Sequence, residues 1–344
     1  ESPPAAPVAA RNVALDHARS YVCYRAPEAV VVDGNIDKPV WQSIPWTEDF
    51  GDILGKQRPT PRFRTRAKMM WDHDSFYVAA ELSEPHVWGT ITEKNAVIFH
   101  DNDFEVFIDP DGDNHTYYEF EMNALNTIWE LTLPKPYRAG GTPENGSNLP
   151  GLQSAVRIDG TLNDASDTDR RWCVEIAFPF DALRRYTGKG AEDAAPNPGD
   201  VWRVAMSRVE WLVDIIDGAY VKVAGRPEDN WLWTPQPAVD VHRPWSWGYV
   251  TFVDGAPGSA TAFRDEAWHV KMFLMDIYDA QRERPVPSTS LADLGLAGVT
   301  VPGLVDDVVI KTTPEGWRAS ARARHADGST VTWHTCEDSK LWRD

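Results

Sequence analysis

Residues 100–123 read HDNDFEVFIDPDGDNHTYYEFEMN. Two period-2 segments, 103–108 and 117–123, flank a turn rich in Asp, Gly and Asn. In the first, Phe104, Val106 and Ile108 fall on one face and Asp103, Glu105 and Phe107 on the other. In the second, Tyr118, Phe120 and Met122 alternate with Tyr117, Glu119, Glu121 and Asn123. The pattern predicts a β-hairpin with one apolar face and one carboxylate-rich face. Carboxylates on neighbouring strands repel, so a strand rarely gathers them on an open face. Their concentration here points to a bound cation or to the hydroxyls of a sugar ring. On this register the side chains of Asp103 and Glu121 share one open sheet face.

The same alternation recurs outward from the hairpin. Strands are expected at 30–32, 66–71, 76–82, 127–133, 155–158, 172–179, 201–210 and 247–253, separated by Pro, Gly and Asp clusters, with a single helical turn at 180–186. Short strands at this spacing, with no comparable helices between them, predict a mainly β protein built as an antiparallel, jelly-roll-like β-sandwich over residues 21–254. Residues 1–20, beginning ESPPAAPVAA, read as a disordered tether and as the tail left after signal cleavage, which places the protein outside the cytoplasm. After residue 254 the pattern changes. The run 263–282 has helical spacing and few breakers, 288–296 opens on capping serines, and 308–312, 317–322 and 330–334 read as a small meander turning at Asp327–Gly328. Residues 255–344 are thus expected to form a small α+β appendage.

Composition narrows the function. The chain has 344 residues, 42% of them apolar, enough for a substantial core. Its net charge of −18 repels phosphate backbones, which argues against a nucleic-acid partner. No apolar run reaches the length of a membrane span. Sixteen tryptophans are unusual, and an indole face suits the C–H face of a pyranose. Cys23, Cys173 and Cys336 are too far apart for a CxxC site. No G-x-S-x-G, P-loop or G-x-G-x-x-G motif occurs, so serine-nucleophile, NTPase and dinucleotide chemistry have no sequence support.

Three constellations carry candidate chemistry. Asp103, Glu105 and Glu121, with Glu119 on the same face, could supply the paired carboxyls of a glycoside hydrolase, one protonated and one ionised. Asp109, Asp111 and Asp113 alternate around Gly112 in the manner of a calcium loop, without the distal glutamate of an EF-hand. His242, Arg243 and Trp245 adjoin in one late loop, where Arg can fork onto hydroxyls or a carboxylate and Trp can stack a ring.

Four motifs appear in order: VDGNIDKPVW at 32–41, WDHDSFYVAA at 71–80, DNDFEVFIDPDGD at 101–113 and YYEFEMN at 117–123. Together, over about residues 28–254, they resemble the family 9 carbohydrate-binding modules, whose fold is shared with DOMON-type β-sandwiches. The resemblance implies a sandwich that clamps a terminal sugar between two tryptophans, with acidic and amide side chains on the hydroxyls and calcium as a structural support. Matching polar positions are Asp101 or Asp103 and Asn123. Clamp candidates are Trp88 with one of Trp231, Trp233 or Trp245, and Glu121, Arg208, Glu210, His242 and Arg243 complete the expected contact set. Glu121 departs from a pure binder, which would more often carry a cation or neutral donor there. The sequence therefore predicts an exported protein that binds an oligo- or polysaccharide, or alternatively a glycan-active enzyme using Asp103, Glu105 and Glu121. A haem-binding DOMON reading is disfavoured because Met69, Met70 and Met122 look like core residues.

Overall fold

Alternation in the quoted stretch is realised as two long antiparallel strands in a computed structural model that describes residues 10–188 and 195–344. In chain order the strands are β1 (Ser20–Arg25), β2 (Gly51–Asp52), β3 (Thr65–Trp71), β4 (Ser75–Ser83), β5 (Asp103–Asp109), β6 (Tyr117–Asn123), β7 (Ile128–Leu133), β8 (Glu144–Asn145), β9 (Gln153–Asp159), β10 (Arg171–Pro179), β11 (Val201–Glu210), β12 (Val213–Ile216), β13 (Ala219–Lys222), β14 (Asp229–Leu232), β15 (Gly248–Val253), β16 (Val309–Thr312), β17 (Trp317–Arg324), β18 (Thr330–Cys336) and β19 (Leu341–Arg343). The helices are α1 (Pro39–Gln42), α2 (Phe180–Leu183) and α3 (Trp268–Arg282).

The main sheet runs β8-β7-β6-β5-β11-β15-β1-β3-β4-β10-β9, with β14 and β2 added beside β11. It curls so that its two halves face each other across one apolar core. Phe104, Val106, Ile108, Phe120 and Met206 come from one half, and Met69, Phe76, Val78, Val174 and Phe178 from the other. The fold is mainly β and sandwich-like, as the strand spacing predicts.

Of the strands absent from the expected set (β1, β2, β8, β12, β13, β14 and β19), β1 matters most to the architecture. It pairs in parallel with both β15 and β3 and so stitches the two halves together. The expected strand at 30–32 does not form. Instead the segment from Ala26 to Trp46 lies as a covering layer over the outer face of β3, β4 and β10, with Ile36, Val40 and Trp41 buried against Met70, Ala79 and Cys173. Glu175 on β10, itself fully buried, pins this layer. It accepts hydrogen bonds from the backbone of Asp33 and Gly34, from Lys38 Nζ and from Trp41 Nε1. The first quoted motif is therefore a docking motif for the layer.

Residues 1–9 of the expected tether lie outside the described residues. Residues 10–20 are ordered against the C-terminal helix, where Asp276 accepts the backbone N–H groups of Asn12 and Val13. Helix α3 is buried on nearly all sides because it packs on β17 and β18 on one flank and on Trp245 and Tyr249 of the sandwich on another. The 288–296 segment forms turns rather than a helix, held by Ser288 Oγ on Asp293. The meander forms with a turn through Gly328 at φ 86°, a conformation that glycine adopts without strain, and gains a fourth strand, β19. All three cysteines are free thiols.

Candidate functional site

β5 and β6 pair so that Asp103 faces Asn123, Glu105 faces Glu121 and Phe107 faces Glu119. The next strands continue the same face, with Trp129 opposite Glu121 and Ser207 opposite Glu105. Carboxylate oxygens of Asp103, Glu105 and Glu121 lie within 4.8 Å of one another. The register predicted from parity holds, and it brings these three side chains together. The expected openness does not. Asp103 is fully buried, and Glu105, Glu119 and Glu121 are each at most 5% exposed. Two segments lie over the ends of this face: Trp247 and His242 of the 241–247 loop pack on Phe107 and Tyr117 beside Glu119, and Trp211 with the β12–β13 hairpin folds back over the 99–102 segment. Asn102 accepts the Trp211 backbone N–H, the Phe99 carbonyl accepts its indole N–H, and Lys222 bonds the His100 carbonyl while lying 3.6 Å from the Trp211 ring centre.

Burial without a counter-charge sets the electrostatics of this floor. Among the described residues no Lys or Arg pairs with Asp103, Glu105, Glu119 or Glu121; the sole basic neighbour is His242, 3.9 Å from Glu119. Asp103 Oδ2, Glu119 Oε2 and Glu121 Oε2 are buried and accept no hydrogen bond among the described residues. Burial first, and the neighbouring carboxylates second, push Asp103, Glu119 and Glu121 well above the usual carboxylate range. Glu105 rises to about 7, again chiefly from burial. His242 is driven down to about 3 by burial and is neutral at physiological pH. Its Nδ1 is hydrogen-bonded to the Tyr117 hydroxyl, and half-exposed Tyr137 packs edge-on against its ring.

Other expected contact residues are engaged elsewhere. Asp101 accepts from Thr90 N, Thr90 Oγ1, Ile91 N and Asn123 Nδ2, so it braces the loop after Trp88. Asn123 donates to Ile91 and Asp101 and accepts from Leu125 and Thr127, which uses both ends of its amide. Both lie at the edge of the acidic floor as structural ties. Arg208 and Glu210 point to the opposite side of β11, because even-numbered residues of that strand face the sandwich core. Arg208 there bonds Glu84 and Glu210 between Phe63 and Trp231. They do not share a face with Glu121. Arg243 pairs with Asp240 and Asp279, away from the floor.

The expected Trp88–Trp245 clamp is not assembled. Trp245 is 1% exposed, packs edge-on against Tyr278 of α3 and donates its indole N–H to Asn12. It is core of the sandwich–appendage junction. Trp231 and Trp233 belong to the sandwich core. Trp88 is nearly buried, beside Lys222. Two partly exposed tryptophans flank the acidic floor in their place. Trp129 faces Glu121 across the ladder, and Trp211 follows directly on β11. Phe99 links them, with its ring 6.3 Å from Trp129 and its carbonyl on the Trp211 indole. Counting parity across the 127–133 strand would have found Trp129. Trp211 lies beyond a strand end, where parity stops.

At the far end of β5, oxygens of Asp109, Asp111 and Asp113 also lie within 4.8 Å of one another. This is the donor chemistry of a hard divalent cation. Asp109 already accepts from the backbone of Gly112 and Asn114, and Lys340 lies 3.0 Å from Asp113. Asp111 is pushed up to about 6 by burial and by Asp113. The turn is also clasped by the C-terminal meander: Asn114 donates to the Ser339 carbonyl, and the Asp113 carbonyl accepts Leu341 N–H.

The sequence model of the family described as "Carbohydrate family 9 binding domain-like" matches residues 32–191. This segment is similar to the family 9 carbohydrate-binding modules. Exoglucanase XynX of Acetivibrio thermocellus is 26% identical over 159 residues, 46% of this chain and 12% of that protein. Endo-1,4-beta-xylanase A of Thermoanaerobacterium saccharolyticum is 25% identical over 159 residues, 46% of this chain and 11% of its own length. The chain thus spans about an eighth of the length of these relatives. A candidate carbohydrate-binding protein from Bacteroides uniformis superposes with a TM-score of 0.50 at 14% identity, covering 68% of this chain and 99% of its own, a likeness of fold. The module match ends before β11, so β11, Trp211 and the whole C-terminal unit lie outside it. Among the described residues no helix is long and apolar enough to cross a membrane.

Proposed function

We propose that this is an exported carbohydrate-binding protein whose ligand sits on the floor of Asp103, Glu105, Glu119 and Glu121, between Trp129 and Trp211. The observation that carries the reading is the set of buried carboxylate oxygens without hydrogen-bond donors, lying beside two partly exposed indoles. Sugar hydroxyls are donors that satisfy such oxygens, and the C–H face of a pyranose stacks on indole. The family 9 match supports the class of ligand, and the names of the two relatives make xylan and glucan the first polymers to try. A calcium ion held by Asp109, Asp111 and Asp113 would brace the far end of β5. The test is retention on a panel of insoluble polysaccharides, with Glu121→Ala in parallel. Retention of the wild type that the substitution abolishes supports the reading, and no retention on any polymer removes it.

A second reading, glycoside cleavage, has one observation in its favour. Glu105 titrates near neutrality beside carboxyls held higher still, the split that acid and base roles require. Release of reducing sugar from the same panel, lost in Glu105→Gln, is its test.

A further inference from the structure

We propose that Asp103, Glu105 and Glu121 bind a divalent cation of the calcium or manganese type in the ligand floor, and that ligand hydroxyls complete its coordination. The second half rests on the carbohydrate reading above; the cation site stands without it.

Oxygens coordinated to one calcium ion lie within about 5 Å of each other, since each sits roughly 2.3–2.6 Å from the metal. The three carboxylates meet that limit at 4.8 Å. They come from two adjacent strands in fixed register, so the spacing is set by the ladder. Independently, Glu119, outside the trio and 3% exposed, lies against Glu121 with Oε2 unpartnered. Asp103 Oδ2 and Glu121 Oε2 are likewise buried without a donor. Four buried carboxyl groups thus meet with no Lys or Arg among the described residues paired to any of them. Lys222, the cation of the overhanging hairpin, is turned to the His100 carbonyl and the Trp211 ring. A neutral sugar brings donors but no charge. At this depth carboxylates either keep their protons or are balanced by a cation, and a cation that displaces those protons satisfies all three at once. All-oxygen ligation by carboxylates selects a hard ion rather than zinc or copper. His242, neutral and bonded to Tyr117, adds no competing soft ligand to the trio.

Calcium and manganese uptake is measured by equilibrium dialysis and titration calorimetry at pH 7.5, on the full chain. The second acidic cluster is silenced by Asp111→Asn with Asp113→Asn. In that background one equivalent of metal is expected to remain, and Glu121→Gln should weaken it roughly tenfold or more by removing a charged ligand. Circular dichroism checks that each variant is folded. If Glu121→Gln does not fold, Asp103→Asn serves the same comparison. No metal uptake by the silenced protein, or uptake unchanged by either floor substitution, overturns the site. Metal uptake without polysaccharide retention keeps the site and removes the carbohydrate reading. Retention that survives chelator in full keeps the carbohydrate reading and removes the coordinated hydroxyls.

Discussion

Glu105 and Glu121 face each other directly across the β5–β6 ladder, both buried, with no Lys or Arg among the described residues paired to either. Buried acids elsewhere in the fold have a cation or backbone donors at hand: Glu175 has Lys38, Glu210 has Arg208, and Asp265 has Lys271 at 2.5 Å, while Asp101, Asp109 and Asp276 each accept two backbone N–H groups. The acidic floor is therefore a place where the fold tolerates electrostatic cost, a usual mark of a functional surface.

The first prediction is a pH dependence of stability in chelator. A carboxyl whose folded pKa is raised binds more protons in the native state than in the unfolded one. Its contribution is present at acid pH and is lost as pH rises from the unfolded value towards the folded one. Glu105, pushed to about 7, accounts for on the order of 3 kcal/mol lost between about pH 4.5 and about pH 7. Asp103, Glu119 and Glu121 extend the loss to higher pH. Melting temperature in EDTA should fall from pH 5 to pH 8, and Glu121→Gln should flatten that slope and raise the pH 8 value. A slope unchanged by the substitution would mean that these carboxyls do not titrate as their surroundings demand.

A second prediction concerns the covering layer. Glu175 accepts four donors from the 33–41 segment, two of them backbone N–H groups. Glu175→Ala strands a Lys and an indole N–H and should cost about 3–5 kcal/mol, the scale for breaking a buried pair. Limited proteolysis should then cut first within 26–46. Cleavage elsewhere, with that layer still protected, would show that Trp41 and Val40 hold it by packing alone.

How much of this is legible in the sequence depends on periodicity. The two faces of 103–108 and 117–123 follow from alternation, and the structure keeps them residue for residue. Parity assigns a face but not what lies above it, so the floor reads as open although the 241–247 loop lies over its Glu119 end and Trp211 with the β12–β13 hairpin lies over the adjoining 99–102 segment. The same limit misplaces Arg208 and Glu210. They are charged residues near the acids in sequence logic, yet their even positions on β11 turn them into the core. Asp101 and Asn123 illustrate a different gap. Their motif positions are right, but their side chains are consumed by local backbone donors and acceptors that no spacing reveals. Residues 10–20 read as a tether because Asn12 finds its partner, Asp276, 264 positions away.

A third prediction separates the second acidic cluster from the floor. Asp111→Asn with Asp113→Asn removes two of three oxygen donors at the far end of β5. If calcium binds there, the gain in stability with added calcium should shrink in this variant. Full occupancy at a hundredfold excess over Kd corresponds to about 2.7 kcal/mol. Lys340 loses its partner in the same variant, so the comparison is the calcium-dependent difference in melting temperature rather than its absolute value. An identical calcium response in variant and wild type would assign the stabilising ion elsewhere.

The last prediction sets two tryptophans against each other. Trp245 is enclosed by α3 and Asn12, while Trp129 is partly exposed beside Glu121. Trp245→Ala should leave a cavity at the sandwich–appendage junction and cost about 3–5 kcal/mol of stability, with polysaccharide retention of the folded fraction unchanged. Trp129→Ala should do the reverse. It removes a stacking face at the rim and should weaken retention by about 1–3 kcal/mol, with a small change in melting temperature. The pair is informative because both lose the same side-chain volume, so packing alone predicts the larger stability loss at the buried site and no affinity loss at either. If Trp129→Ala leaves retention intact while Trp211→Ala abolishes it, the ligand stacks on the hairpin side of the floor. If neither matters, stacking is not how this face holds a ligand.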